Sequence, residues 1–77
     1  MKFVHIGFEN YVSVTRIVSV TAPDSAPMKR MIQDAKDHHC IIDATCGKRT
    51  QSIIVTDSKH IILSSLSCDE IIAGCNP

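Results

Sequence analysis

A chain of 77 residues has little interior with which to hold itself together. A domain this small buries only about 60% of the surface its unfolded form exposes. Against that stands a backbone entropy cost of about 1–2 kcal/mol per residue. Small domains make up the difference with disulfides, a bound metal or self-association. The length allows a single domain, residues 1–77.

Which supplement this chain uses turns first on its four cysteines. The stretch Met1-Lys2-Phe3-Val4-His5 holds no apolar core of signal-peptide length, so a cytoplasmic location is expected, where thiols stay reduced. Structural zinc sites pair their ligands two to four residues apart on a turn. Here Cys40 and Cys46 are separated by five residues and Cys68 and Cys75 by six, so these thiols read as small packing groups despite the adjacent His38 and His39. No metal and no cofactor are expected. Apolar runs such as Ile53-Ile54-Val55 and Ile61-Ile62-Leu63 are three residues long, far short of a membrane span, so no membrane partner is expected. Self-association is what remains.

Eleven isoleucines, six valines and five threonines give the chain a β-branched load that favours strands. Phe3–Ile6 and Arg16–Ala22 are predicted strands, joined through Gly7-Phe8-Glu9-Asn10 and an extended piece at Tyr11–Val14. Asp24 or Ser25 then caps a helix that tolerates Pro27 in its first turn. Met28, Met31, Ile32 and Ala35 have the spacing of one apolar face, which carries the main helix over about residues 26–39. Cys40–Thr45, Thr50–Thr56 and His60–Leu66 follow as strands, the last two joined by an Asp57-Ser58-Lys59 turn. Ser67 caps a short final helix, Cys68–Ala73, stopped by Gly74. The fold class is α+β, with a small, largely antiparallel sheet.

Catalysis finds no support in the motifs. Cys46, His60 and Asp43 could be assembled into a nucleophile, a base and an orienting acid, but no local signature accompanies them. Thr45-Cys46-Gly47-Lys48-Arg49-Thr50 resembles a phosphate-binding loop only superficially. The Walker pattern needs glycine where Ile42 stands and Ser or Thr where Arg49 stands. No enzyme is expected. The same segment nevertheless puts Lys48 and Arg49 beside a flexible Gly47 and a hydroxyl on Thr50, groups that bind phosphate or equally well form a solvated turn. Arg16, at the head of a strand, could pair with Glu9 or reach an external phosphate. Arg30 on the helix face could bridge to an acid of a neighbouring copy, such as Asp43 or Asp57. Eight basic and eight acidic residues cancel, so any affinity for nucleic acid must come from placement and not from net charge.

Taken together, Ile6-Gly7-Phe8, Asn10, Arg16, the block Ser25-Ala26-Pro27 with Lys29-Arg30-Met31-Ile32-Gln33-Asp34-Ala35, Ile42-Asp43-Ala44-Thr45, Gly47, Arg49-Thr50, Asp57-Ser58 and His60 stand in the order of the RemA-like family. These are bacterial regulators of extracellular-matrix (biofilm) genes, and the resemblance runs from about Val4 to Ala73. It implies a homo-oligomeric ring, typically an octamer, that binds and bends or wraps double-stranded DNA as a nucleoid-associated protein does. The family's DNA contacts correspond to Arg16, Lys48 and Arg49, with Gly47, Thr50, Pro27 and Arg30 in support, Pro27 through structure more than contact. Two departures stand out. The family's turn reads Gly-Arg-Arg-Thr-Arg, whereas this chain has Gly47-Lys48-Arg49-Thr50-Gln51, and Glu9 replaces a small neutral residue. They leave open a ring-forming structural or interaction module with weak or lost DNA binding.

Overall fold

The computed structural model describes residues 2–75. The chain runs β1 (Phe3–His5), β2 (Tyr11–Ser13), a single 3-10 turn (Val14–Arg16), β3 (Ile17–Thr21), α1 (Ala26–Asp37), β4 (Ile41–Asp43), β5 (Ser52–Thr56), β6 (Ile61–Ser64) and α2 (Cys68–Cys75). β1 and β2 form their own antiparallel ribbon, while the other strands make a four-stranded sheet in the order β3-β5-β6-β4.

Alternation along the two central strands explains why the sheet is covered on both faces. Ile54 and Ile62 point to one side, where Val4, Ile6 and Ala44 meet Ile71 of α2. Ile53 and Ile61 point to the other, where Ala35 of α1 packs on them with Met28 and Ile32. Ile53, Ile54 and Ile71 are wholly buried, and each such side chain stabilises the fold by about 1.5–3 kcal/mol. Ser64, equally buried, donates to the Ile6 carbonyl at 2.7 Å and accepts from the Leu66 N–H at 3.1 Å, which ties the ribbon to the sheet.

The α+β class and the largely antiparallel pairing stand, and the structure adds two features to the expected sheet. The piece at Tyr11–Ser13 is a strand, paired with β1 from Phe3↔Ser13 to His5↔Tyr11 and separate from the main sheet. β4 runs parallel to β6, because the chain leaves β4, lays β5 one place further out and returns between them as β6.

Both helix ends differ from expectation for identifiable reasons. Ser25 caps α1 by accepting from the Met28 N–H at 3.3 Å, with Pro27 in the first turn. The helix stops at Asp37, two residues short of the predicted end. His39 turns left-handed at φ 56°, and the His39 and Cys40 N–H groups close back onto the Lys36 and Ala35 carbonyls. α2 instead runs through Gly74. A Cβ there would lie 2.8 Å from Val4 Cγ2, so this glycine serves the close approach of helix to strand and not termination. Ser67 and Glu70 form a reciprocal cap, each backbone N–H donating to the other's side chain.

Candidate nucleic-acid interface

Lys48 and Arg49 are presented by a turn whose shape is set by its neighbours. Cys46 and Gly47 both have positive φ, 50° and 81°, and the Lys48 N–H closes the turn on the Thr45 carbonyl at 2.9 Å. That pair of left-handed residues is the type I′ arrangement, which explains the glycine: a Cβ at Gly47 would touch nothing, so its role is conformational. Before the turn, the Asp43 carboxylate accepts from both the hydroxyl and the N–H of Thr45, at 2.6 and 2.9 Å. Those bonds, the hydroxyl first and the N–H second, hold the Asp43 carboxyl below its ordinary pKa, helped slightly by Lys36. After the turn, the Gln51 N–H donates to the Ser64 carbonyl at 2.8 Å. Both ends are therefore anchored to β6 or its flank.

The side chains of Lys48 and Arg49 are exposed, and among the described residues neither makes a hydrogen bond or an ion pair. Arg49 lines a cavity of about 440 Å³ with Pro23, Asp24, Thr50 and Gln51. An arginine fork, a hydroxyl and an amide facing one open space suit a phosphate oxygen, and Asp24 is the group that opposes it.

Arg16 differs from its expected setting. It closes the 3-10 turn, and β3 begins one residue later, at Ile17. Its Nε lies 3.0 Å from Asp57 Oδ1, and the Asp57 N–H donates to the Arg16 carbonyl at 2.9 Å. The partner is thus Asp57 and not Glu9. The contact is made through Nε, and the Arg16 side chain remains 63% exposed.

The structure does not gather the three cations at one point. β3 pairs with β5 from Thr21↔Ile53 to Ile17↔Thr56, so Arg16 and Asp57 sit at one end of that ladder and the Lys48-Arg49 turn lies beyond the other. Five strand residues at about 3.4 Å each separate the two points by roughly 17 Å. Thr50 joins Arg49 in its cavity, whereas Pro27 and Arg30 line a different one, of about 380 Å³, with Ala26, Met31 and Asp34.

Sequence reading missed Asp24 and Asp57 as neighbours of the basic groups. Asp57 becomes the neighbour of Arg16 only through the register of β3 on β5, in which Ile17 pairs with Thr56. Among the described residues no three His, Cys, Asp or Glu side chains cluster to hold a metal ion, and no helix is long and apolar enough to cross a membrane.

Residues 3–73 match the family described as extracellular matrix regulatory protein A-like. Over 71 residues, covering 92% of this chain, the sequence is 51% identical to a putative regulatory protein of Geobacillus thermodenitrificans and spans 82% of that protein. It is 49% identical over 71 residues to extracellular matrix regulatory protein A of Bacillus subtilis, 92% of this chain and 80% of that one. A putative regulatory protein of Microcystis aeruginosa is 45% identical with the same coverage.

Proposed function

This chain belongs to the RemA-like family, and from that premise we propose that it is a DNA-binding transcriptional regulator of extracellular-matrix genes. The names its family and relatives carry are those of regulatory proteins. Arg16, Lys48 and Arg49 contact phosphates, and repetition of these residues around a homo-oligomeric ring supplies the affinity that a neutral protomer lacks. The observation that carries this reading is the Thr45–Lys48 turn, which is pinned at both ends yet leaves Lys48 and Arg49 without a partner among the described residues. A rigid turn holding unpaired cations outward is what phosphate binding requires, since little side-chain order remains to be imposed on binding.

The separation of Arg16 from Arg49 gives the proposal a geometry. Roughly 17 Å exceeds the ~12 Å width of the major groove, so one protomer can touch phosphates on both of its edges. Such contacts carry no base information, and target preference arises from how readily the DNA bends.

The test is a fluorescence-anisotropy titration of a labelled AT-rich duplex at roughly 50 and 200 mM salt. Tight binding at low salt that collapses at the higher salt is the expected result. Weak binding at both overturns the proposal in favour of a ring-forming interaction module. That second reading draws support from Asp24, which shares the Arg49 cavity, and from the uncharged Gln51 beside it.

A further inference from the structure

We propose that the cavity between Arg49 and Asp24 binds a guanosine nucleotide, its phosphate on Arg49 and its base edge on Asp24, and that the bound nucleotide excludes DNA from Arg49. The exclusion rests on the DNA contact proposed above for Arg49, and the nucleotide site stands without it.

The cavity exists because two segments meet the β3–β5 ladder at the same end. Thr21 pairs with Ile53 there, and beyond that pair Pro23 and Asp24 turn away toward α1 while Thr50 and Gln51 arrive from the basic turn. Both rims are held by hydrogen bonds. Ser25 caps α1 directly after Asp24, and the Gln51 N–H donates to the Ser64 carbonyl. The opening of about 440 Å³ falls within the range of roughly 300–1,000 Å³ typical of small-molecule sites.

The charges of the lining are the second observation. Asp24 and Arg49 face one space, yet among the described residues no ion pair joins them. A site for bare phosphate gains nothing from a carboxylate, which repels it. A ligand that is anionic at one end and rich in donors at the other uses both groups. A small zwitterion has the same two ends but fills only a fraction of this volume. A nucleotide has the ends and the size.

The carboxylate then selects the base. Ionised Asp24 has two oxygens that only accept hydrogen bonds. Guanine presents two adjacent donors on one edge, N1–H and the 2-amino group, and a carboxylate takes both at once. Adenine and cytosine set a single amino group beside a ring nitrogen that accepts, and uracil and thymine flank one N–H with two carbonyls. Each of these turns a lone pair toward an Asp24 oxygen, which costs affinity. The rest of the lining completes the fit: Gln51 offers an amide donor for the guanine O6, Thr50 a hydroxyl for the phosphate, and Pro23 an apolar surface for the flat base.

The experiment is isothermal titration calorimetry of the full chain at low salt with GMP, IMP, AMP and inorganic phosphate. Displacement of a labelled duplex by the same ligands follows. IMP differs from GMP only in lacking the 2-amino group. GMP is expected to bind on the order of tenfold tighter than AMP, with IMP between them and phosphate weakest. Asp24 is exposed and makes no ion pair among the described residues, so Asp24→Asn keeps the fold by circular dichroism and brings GMP down to the level of AMP. Arg49→Ala weakens every one of these ligands. GMP is expected to release DNA from the parent at concentrations where AMP does not, and the Asp24→Asn complex to resist it. Equal binding of all the ligands overturns base recognition and makes the cavity a plain anion site. Absence of GMP binding to a parent that binds DNA overturns the nucleotide site and leaves the DNA reading standing. Selective GMP binding to a parent that does not bind DNA supports the nucleotide site and overturns the exclusion together with the DNA reading. GMP that binds selectively yet leaves the duplex in place overturns the exclusion alone.

Discussion

Truncation of Arg49 to alanine isolates the phosphate term. The side chain is exposed and makes no bond within the described chain, and the turn that carries it is shaped by Cys46, Gly47 and the Asp43–Thr45 bonds. Arg49→Ala therefore leaves folding and assembly intact. Each phosphate neutralised contributes about 0.9 to the slope of log affinity against log salt. If Arg16, Lys48 and Arg49 count equally, a protomer contributes about 2.7, and the variant about 1.8. Asp57 lies 3.0 Å from Arg16 Nε and offsets part of that charge, so Arg16 counts for less than a full contact. The expected loss of slope thus lies between a third and a half, whatever number of protomers engages the duplex. Over a salt rise from about 50 to 200 mM, each missing contact narrows the gap between parent and variant by roughly 3.5-fold. Anisotropy titrations on an AT-rich and a GC-rich duplex read the slope, and sedimentation reads the assembly. An unchanged slope, a loss confined to one DNA sequence, or dissociation of the oligomer would refute the reasoning. Arg16→Ala is the internal comparison, with a smaller change in slope than Arg49→Ala.

Three further outcomes are expected. Asp24→Asn removes the acid that shares the Arg49 cavity and raises DNA affinity several-fold at low salt, with less effect at high salt, in the same titration. Ser64→Ala leaves the Ile6 carbonyl and the Leu66 N–H unpaired in the core and lowers stability by about 2 kcal/mol, read from the urea midpoint at constant m. Asp43 is held below its ordinary pKa of 3.8 in the folded state, so its contribution to stability is present above that value and is lost as pH falls through the lower folded one. Urea midpoints measured downward from about pH 5 should therefore fall less steeply in Asp43→Asn than in the parent.

What the sequence made legible were the features decided locally. Ser25, Pro27 and the Met28, Ile32, Ala35 spacing announce α1, and the short apolar runs of β5 and β6 on either side of Asp57-Ser58-Lys59 announce the central hairpin. Gly47 marks its turn because φ 81° is a property of one residue. The rest depends on partners distant in the chain. A three-residue strand with only Val12 and its neighbours to show cannot display a period, so β2 passes for a linker. Gly74 looks like a helix stop until Val4 is placed against it. The basic residues could be named from their type, but the Arg16–Asp57 pair and the distance from Arg16 to Arg49 exist only once β3 lies alongside β5.

That distance has a mechanical meaning. β5 is a middle strand, bonded on both sides, and four of its five residues are buried, so its length does not respond to load. The two basic points are in effect fixed to the ends of a stiff rod. A duplex that engages both must supply the compliance itself, through its softer base steps, and the work of fitting falls on the nucleic acid. A shorter or longer β5 would retune which DNA fits without altering a single contacting residue.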